Sequence, residues 1–327
     1  RHVVAADSRG RLAVWVLGPY LTSKFWEEHK EDALSPTINF QAHPNAIYCL
    51  VFVGEILITG GDEDIRGWRW SDILQTQGSG AKKLQPCFEM RNPQATIGRG
   101  GSAPLSETNG IVANTDGTMV YSATGDNSAY AWDLATQKCV GQMAGHQGYL
   151  HCIAYRPCHQ VATGSEDGTV KLWDARGFNC VATLAPTTSK DSPPLSYVGG
   201  LAVDPQDNLL AAGGGGKCAY VWHLSSGTLL ANMPTPGAVQ HLSFANDRLL
   251  SAGAHKGVCH WRSNGKFMGS SPTTATSVFA VAQGEIAKPN GSKTSVMVIG
   301  GDCAMLDVYI DFNYMKAFSL SFAEQGK

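Results

Sequence analysis

The chain has few charged residues and no long apolar run. Asp, Glu, Lys and Arg make up only 16% of its 327 residues, against about 25% in an average soluble domain. The 25 basic and 27 acidic side chains nearly cancel, so the positive field that drives direct nucleic-acid binding is missing. No apolar stretch approaches the roughly 18 residues that span a bilayer. The composition predicts a soluble intracellular protein that contacts RNA only indirectly and binds no membrane.

Signals for a metal site, a disulfide framework or a catalytic centre are also missing. The nine cysteines form no Cys-x-x-Cys pair and are odd in number, which argues against zinc sites and disulfides. We expect them to be small buried side chains in a reducing compartment. The Gly-rich run at residues 213–217 lacks the spacing of a phosphate-binding loop and leads into a strand. Since no HExxH, GxSxG or paired-carboxylate pattern stands out either, the sequence predicts neither an enzyme nor a cofactor-binding protein.

What the sequence does contain is glycine and an internal repeat. Its 37 glycines favour short strands and tight turns over surface helices. The clearest repeat unit begins at Gly145-His146 and holds four β-rich apolar runs, the third of which ends in Trp173-Asp174. This pattern is the WD signature of one four-stranded propeller blade. Six similar units recur about 40 to 60 residues apart, near the WD period. They end at Trp15, at Trp68 or Trp70, and at Trp132, Trp222, Trp261 and Tyr309.

The repeat predicts one all-β domain over residues 1–327, a seven-bladed WD-repeat β-propeller. We expect the blades at about residues 1–40, 41–90, 108–144, 145–185, 196–234, 237–271 and 276–323. The first apolar run matches the second strand of the other blades. The first blade therefore lacks its innermost strand in this sequence, and we expect residues that precede Arg1 to supply it. The alternating run at 316–322 predicts the last outer strand, which lets the ring close without an open sheet edge.

One polar network is expected inside the fourth blade. In a WD blade the loop His, the turn Asp, the strand Ser or Thr and the Trp form a buried hydrogen-bond chain. The side chains that match it here are His146, Asp167, Thr163 and Trp173. The Trp buries a large apolar area, and the hydroxyl gives its indole N–H a partner. The sequence therefore predicts that these side chains stabilise the blade. It assigns no residue to catalysis, to a cofactor or to a metal.

The insertions are the segments of the chain that differ most from a plain WD blade. Residues 18–36 contain a capping residue ahead of an acidic turn and predict a short helix. Residues 71–86 and 91–108 flank the outer strand of the second blade, and the second of these is expected to be mobile. Residues 185–196 and 283–294 predict surface loops. Because loops carry function on rigid scaffolds, we expect partner contacts at residues 18–36 and 71–108.

A more specific resemblance lies in the departures from the plain WD pattern. These are Phe40-Gln41-Ala42-His43, Gly214-Gly215 with Trp222-His223-Leu224, residues 250–253, and the terminal run at 317–322. They resemble the THO complex subunit 6 family over essentially the whole chain, and least in the loops at 71–108. The resemblance implies a non-enzymatic scaffold that is located in the nucleus. An additional location in the cytoplasm stays open. It implies membership of the THO/TREX complex, which couples transcription and mRNA splicing to mRNA export, and THO subunits five and seven as the first partners to test.

An alternative function from a different class rests on one segment. Residues 161–176, VATGSEDGTVKLWDAR, closely resemble a sixteen-residue sequence motif, here called the ligase box. This motif occurs in WD proteins that act as substrate receptors of cullin RING ubiquitin ligases. In that family the Arg after Trp-Asp, here Arg176 beside Asp174, faces the ligase adaptor. Ala162 departs from the box, because a larger apolar residue is usual there. A basic residue at the position of Arg176 is also common in ordinary blades, so a purely structural interpretation stays open.

Overall fold

The strands of the chain form seven small sheets arranged in a ring, which is a seven-bladed β-propeller. The computed structural model describes residues 2–20, 33–76, 84–94, 96–97, 101–102, 105–186, 194–245, 247–287, 293–311 and 314–322. Apart from one strand that is added at the rim of the seventh sheet, the strands of each blade follow one another in chain order from the axis to the rim, and consecutive strands are antiparallel. The fold class predicted from the repeat is confirmed.

The first three blades contain the most irregular elements. The first sheet consists of β1 (His2–Ala6), β2 (Arg11–Val16) and β4 (Ile38–Gln41), and β3 (Ala33–Leu34) joins another sheet. The second consists of β5 (Ile47–Val53), β6 (Ile56–Gly61), β7 (Asp64–Arg69) and β8 (Phe88–Arg91), with the short helix α1 (Trp70–Gln75) after β7. A small hairpin, β9 (Thr96–Ile97) and β10 (Gly101–Ser102), precedes the third sheet. That sheet consists of β11 (Thr108–Ala113), β12 (Met119–Thr124), β13 (Ser128–Asp133) and β14 (Lys138–Ala144).

The remaining four blades are more regular. The fourth sheet consists of β15 (Leu150–Arg156), β16 (Gln160–Ser165), β17 (Val170–Asp174) and β18 (Cys180–Leu184). The fifth consists of β19 (Val198–Val203), β20 (Leu209–Gly214), β21 (Cys218–His223) and β22 (Thr228–Pro234). The sixth consists of β23 (Val239–Ala245), β24 (Arg248–Gly253), β25 (Val258–Arg262) and β26 (Phe267–Ser271). The seventh consists of β27 (Val278–Ala287), β28 (Lys293–Gly301), β29 (Met305–Ile310) and β30 (Phe318–Ser321).

The core lies between neighbouring blades. Side chains of a strand alternate between the two faces of its sheet, and in the middle strands both faces are covered. In β2, for example, Leu12 and Val14 pack against the second blade, whereas Ala13 and Trp15 pack against the seventh. Seven such buried clusters follow one another around the ring. This two-sided burial explains why the middle strands are almost continuously apolar in sequence.

Two contacts, a strand pairing and a side-chain hydrogen bond, join the first blade to the seventh and close the ring. The first sheet lacks an innermost strand among the described residues, as the sequence predicts, because β1 pairs only with β2. The outer strand predicted at 316–322 is β30. Beyond it, β3 from the insertion of the first blade adds a fifth, parallel strand. The Trp15 indole N–H donates to the carbonyl of Leu34 at 3.0 Å, so this insertion ties the first blade to the edge of the seventh.

The insertions differ from their sequence-based expectations. The helix expected within 18–36 falls on residues 21–32, which lie outside the described residues; Gly18–Tyr20 form a 3-10 turn. The one described α-helix, α1, lies instead in the next insertion. The expected loop at 283–294 is largely strand, because β27 and β28 stay paired as far as Ala287 and Lys293. Most of the Pro, Asn, Gly and Ser residues behind the loop prediction lie at 289–292, outside the described residues.

The cysteines are free, but the expectation that they are buried is wrong for four of the nine. Cys139 is the second residue of the outermost strand β14, Cys180 is the first residue of the outermost strand β18, and both are exposed. The other two exposed thiols, Cys87 and Cys158, lie at a strand entrance and in a turn. Outer strands have one uncovered edge, so a small residue there does not become buried by default.

Candidate interaction surface

The topology gives the ring two distinct ends. The innermost strand of each blade begins opposite the end of the second strand, as Ile47 opposite Gly61 shows. The connections between blades and the turns between second and third strands therefore share one end, here called the connector end. The turns between first and second strands and between third and fourth strands share the other, here called the hairpin end. The strands that flank insertions 91–108 and 185–196 meet them at the connector end, and the strands that flank insertions 18–36, 71–86 and 283–294 meet them at the hairpin end.

The four side chains predicted to form a network in the fourth blade are brought together by the structure. His146 Nδ1 lies 2.8 Å from the Asp167 carboxylate and Nε2 lies 2.8 Å from the Thr163 hydroxyl. The Trp173 indole N–H donates to the same hydroxyl at 2.8 Å. Because a carboxylate can only accept, Nδ1 carries the proton and Nε2 accepts from Thr163. Each polar atom of this buried chain thus has a partner.

The protonation states of the fourth-blade network follow from its burial. Burial lowers the pKa of His146, although hydrogen bonding to Asp167 opposes the effect, so the imidazole is neutral at pH 7. Burial also disfavours the ionised form of Asp167. Hydrogen bonds from Thr169, the Gln147 backbone N–H and His146 outweigh it and hold that pKa at about 2. The His146 side chain is 0% exposed, so a substrate cannot reach it and the network stabilises the fold.

A second complete network lies in the second blade, where sequence reasoning did not place one. His43 bridges Asp64 at 2.9 Å and Thr59 at 2.7 Å, and the Trp68 indole N–H donates to Thr59 at 3.1 Å. The turn here places the Asp five residues after the Thr instead of four, which hid the match. The ambiguity between Trp68 and Trp70 is also settled, because Trp68 is the network member and Trp70 begins α1.

The ligase box of residues 161–176 ends on the hairpin end of the fourth blade. The Arg176 guanidinium is 74% exposed and donates to both carboxylate oxygens of Asp174, at 3.0 and 2.9 Å. The hydrogen bonds from the Arg176 side chain and backbone hold the pKa of Asp174 at about 2. The two residues thus form a solvent-exposed ion pair within one turn, which is accessible to a partner.

The mouth of the central channel at the connector end has a repeated irregularity. In each of the six described innermost strands one extra residue interrupts the ladder at the same level. Such β-bulges re-aim side chains and are enriched beside functional sites. The bulged residues are Tyr48, Asn109, His151, Gly199, Gln240 and Phe279. The bulges thus present a ring of varied side chains around one opening.

Three exposed aromatic rings lie at this end of the innermost strands, and one of them, Tyr48, lies beside carboxylates. Tyr48, Tyr149 and Phe279 are each about half exposed, at 51%, 50% and 52%. The Tyr48 hydroxyl donates to Asp62 at 2.6 Å. That bond, burial, and the charges of Asp62 and Glu107 raise the pKa of Tyr48 to about 12. Large exposed apolar side chains grouped at one opening, beside negative charge, are typical of a protein-binding surface.

Two further features of the described residues bear on function. They include no cluster of three or more His, Cys, Asp or Glu side chains arranged to hold a metal ion. Among the same residues, no helix has the length and hydropathy to cross a membrane. The Gly-rich run at 213–217 forms the end of β20 and the turn into β21, as the sequence predicts.

Comparison with known proteins identifies the repeat and a whole-chain relative. A family model described as WD domain, G-beta repeat matches residues 137–174, which span the outer strand of the third blade and three strands of the fourth. The THO complex subunit 6 homolog of Rattus norvegicus is 29% identical over 326 residues, covering 98% of this chain and 89% of the relative. The chain is a seven-bladed β-propeller that contains a WD repeat and is similar to THO complex subunit 6. THO complex subunit 6 of Homo sapiens matches to the same extent.

The similarity of this WD-repeat protein to THO complex subunit 6 extends beyond animals. THO complex subunit 6 of Arabidopsis thaliana is 29% identical over 322 residues, 94% of this chain and 84% of the relative. A match produced by WD residues alone would favour the blades that carry them. The resemblance predicted from the departures in several blades is therefore confirmed, because the similarity spans the whole ring.

Proposed function

We propose that this protein is a non-enzymatic scaffold subunit of a THO/TREX-type complex in the nucleus. Such a complex would couple transcription and mRNA processing to mRNA export. The observation that carries the proposal is similarity over 98% of the chain to a protein named as a THO complex subunit. Partners would be other THO subunits, with subunits five and seven the first to test.

The connector-end mouth is the surface we assign to partner binding. A closed ring fixes its loops and bulges in place, so a partner segment binds without the ordering cost that a flexible receptor would incur. The half-exposed rings of Tyr48, Tyr149 and Phe279 supply apolar contact area. The carboxylates beside them favour a segment that also carries basic groups. The insertions at 18–36 and 71–108 remain additional candidate contacts, because they are the parts of the chain least like a plain WD blade.

The proposal assigns contact with RNA to the partners and not to this protein directly. With a formal net charge of −2, the protein releases few counterions on meeting RNA. Any intrinsic RNA affinity is therefore weak and falls steeply with salt. The ligase-receptor alternative gains no support, because the relatives reported above are named as THO subunits and Arg176 is already paired with Asp174.

Affinity purification of the tagged full-length protein from nuclear extract tests the proposal. We expect mass spectrometry to recover THO subunits five and seven, and nuclease treatment to leave that recovery unchanged, since the contacts are between proteins. Arg176→Ala is a control from the opposite end of the ring and should recover the same subunits. Purification of the intact protein without any THO subunit would contradict the proposal. Recovery that disappears with nuclease would contradict the direct protein contact.

A further inference from the structure

Three basic residues form a row across the sixth blade at the hairpin end of the ring. Arg248 begins β24 and Arg262 ends β25, and the two residues are directly opposite each other in the antiparallel register. The Arg262 backbone N–H donates to the carbonyl of Lys266 at 2.9 Å, so these two residues flank the turn that leads into β26. Gly265 closes this turn with a φ of +84°, which a glycine adopts without strain. Arg248, Arg262 and Lys266 are here called the basic row.

The basic row lies on one face of its sheet. Residues that are directly opposite each other in an antiparallel pair share a face, whereas neighbours along a strand alternate. Leu249 and Trp261, the next pair in register, face the fifth blade, and the Phe267 ring packs edge-on against Trp261. Each member of the basic row is adjacent in sequence to one of these residues, so the row faces the seventh blade. Because neighbouring strands are about 4.8 Å apart, the row spans about 10 Å.

The basic row is accessible to solvent. Arg262 and Lys266 are exposed. The Arg248 side chain is 23% exposed, and its Nε atom lies 3.7 Å from the carboxylate of Asp247. In the described part of the chain, no carboxylate forms an ion pair with Arg262 or Lys266. A ligand at the hairpin end can therefore reach at least two of the three positive charges directly.

The surface next to the basic row on the same face does not neutralise its charge. His260 lies two residues before Arg262, and its ring centroid is 5.1 Å from that of Tyr314. Burial lowers the pKa of His260 to about 4, so this imidazole is uncharged at pH 7. Tyr314 is 39% exposed. The row is therefore bordered towards the middle of the sheet by two uncharged rings.

The charge distribution of the chain singles out the same blade. Residues 208–284 contain five lysines and arginines but one acidic residue, Asp247, which gives this segment a formal charge of +4 in a protein of net charge −2. Like charges directly opposite each other destabilise a sheet. The basic row thus lowers the stability of the free protein, and an anion bound between its side chains would remove that repulsion.

The surroundings of the basic row favour a compact anion over a long one. Asp247 is 76% exposed, and Glu285 on the neighbouring blade is 55% exposed and pairs with Lys293. Asp311 follows β29 at the same end of the ring. These carboxylates repel an extended polyanion such as RNA, whose phosphates continue along the strand. A phosphate monoester instead concentrates a charge of about −1.5 to −2 on three acceptor oxygens, and a guanidinium binds such a group through two parallel hydrogen bonds.

We propose that the basic row binds a phosphorylated serine or threonine side chain of a partner polypeptide. Basic residues beside the phosphorylated residue would pair with the carboxylates that border the row. The row lies at the opposite end of the ring from the channel mouth. The site is therefore independent of which THO subunits bind at the mouth, and the two proposals can fail separately.

NMR of arginine side chains in the purified full-length protein tests the site. The probe is a Gly-rich peptide with one phosphoserine between two lysines, and its control is the same peptide with serine. In protein labelled with 15N-arginine, Arg262→Lys identifies the Arg262 Nε–H signal. We expect the phosphopeptide to shift that signal and to bind at least about ten-fold more tightly than the serine peptide, because it adds charge-assisted hydrogen bonds. Equal binding of the two peptides, or no shift at Arg262, would overturn the proposal.

Three further probes identify the source of the anion. Inorganic phosphate, the same peptide with glutamate in place of phosphoserine, and an oligo-uridine RNA should each bind at least about three-fold more weakly than the phosphopeptide. If inorganic phosphate binds as tightly, the ligand is a free anion and the assignment to a polypeptide is wrong. If the glutamate peptide binds as tightly, the ligand is an unmodified acidic segment. If the RNA binds as tightly, the surface is a nucleic-acid site and the proposal is wrong.

Variants separate the basic row from general charge and stability. The double variant Arg262→Gln and Lys266→Gln should weaken phosphopeptide binding at least about ten-fold, measured by fluorescence anisotropy of the labelled peptide. It should not lower the melting temperature, because both side chains are exposed. Arg176→Gln removes an exposed arginine at the same end of the fourth blade and should leave binding unchanged. A folded double variant that binds the phosphopeptide like the unmodified protein would show that these residues do not form the site.

Discussion

The fourth and fifth blades build the same shape in different ways. In the fourth, Trp173 is connected through Thr163 to His146 and Asp167. In the fifth, Ala212 occupies the position that corresponds to Thr163, so no hydroxyl lies beneath Trp222. Both tryptophans are nonetheless almost fully buried, at 1% and 2% exposure. The burial of a large ring between neighbouring blades is therefore the common requirement, and the polar network is an addition to it.

The other blades extend this comparison. In the third and sixth blades the indole donates to a serine alone, at 2.9 and 2.8 Å. In the first it donates to the carbonyl of Leu34, and in the seventh Tyr309 donates to the carbonyl of Pro272. In these four blades the buried N–H or O–H of the closing aromatic residue finds an acceptor, but the identity of the acceptor varies. Burying an unpaired donor is costly, whereas which acceptor pairs with it matters less.

Loss of a buried tryptophan side chain should have the largest effect on stability. Trp173→Ala should lower the free energy of unfolding by about 3 to 5 kcal/mol, because it leaves a cavity between the third and fourth blades. Urea unfolding followed by circular dichroism measures the change. Trp222→Ala should cost a similar amount if burial dominates. A much smaller loss for Trp222→Ala would show that the network, and not the burial, stabilises a blade.

Removing only the hydroxyl should have a smaller effect. Thr163→Val keeps the shape of the side chain but leaves the Trp173 N–H and His146 Nε2 unpaired in the interior. We expect a loss of about 1 to 3 kcal/mol in the free energy of unfolding. Thr183→Val, at an exposed site on β18, is the matched control and should change little. An unaltered stability of Thr163→Val would mean that the fourth blade gains nothing from its network.

Acidification should destabilise the protein through buried histidines inside and outside the networks. Burial lowers the pKa of His260 to about 4, below the ordinary value of about 6.5. Between these values the unfolded chain binds a proton that the folded chain does not. The stability contributed by neutral His260 is therefore complete above pH 6.5 and is lost as the pH falls towards 4. Urea unfolding at pH 7.5, 6 and 5 should show a shallower decline for His260→Asn than for the unmodified protein.

The matched control for this pH series is His159→Asn, in an exposed turn. It should decline with falling pH as steeply as the unmodified protein. Equal slopes for His260→Asn and the unmodified protein would show that His260 is not held neutral by the fold.

The exposed ion pair at the end of the fourth blade should have the smallest effect. Arg176→Ala should leave the melting temperature unchanged within measurement error, since solvent screens an exposed pair. A clear drop in melting temperature would indicate that the turn after β17 contributes to the blade, and would weaken the distinction between buried and exposed polar contacts.

The sequence is sufficient to predict the parts of the fold that repeat. The glycine-rich strand ends, the closing aromatics and the fourth-blade motif determine seven blades and the missing inner strand of the first. They could not indicate the second-blade network, because the Asp at position 64 lies five residues after Thr59 instead of the four found in the fourth blade. They also could not indicate the pairing of β3 with β30, which is a contact between distant segments without a local pattern.

The candidate surfaces were less predictable than the fold. The bulges that surround the channel mouth arise from one extra residue per inner strand, and no residue type marks them, since Tyr48, Asn109 and Gly199 occupy equivalent places.

We propose that buried aromatic side chains and polar networks build the propeller, while exposed aromatic side chains at the channel mouth bind partners. The most direct test is recovery of THO subunits five and seven by the triple variant Tyr48→Ala, Tyr149→Ala and Phe279→Ala. Its control is Val140→Ala, Val181→Ala and Leu230→Ala, three equally exposed apolar residues on outer strands. The account predicts that both variants keep a native circular dichroism spectrum, but that only the mouth variant loses the subunits. Full recovery by the folded mouth variant would contradict it.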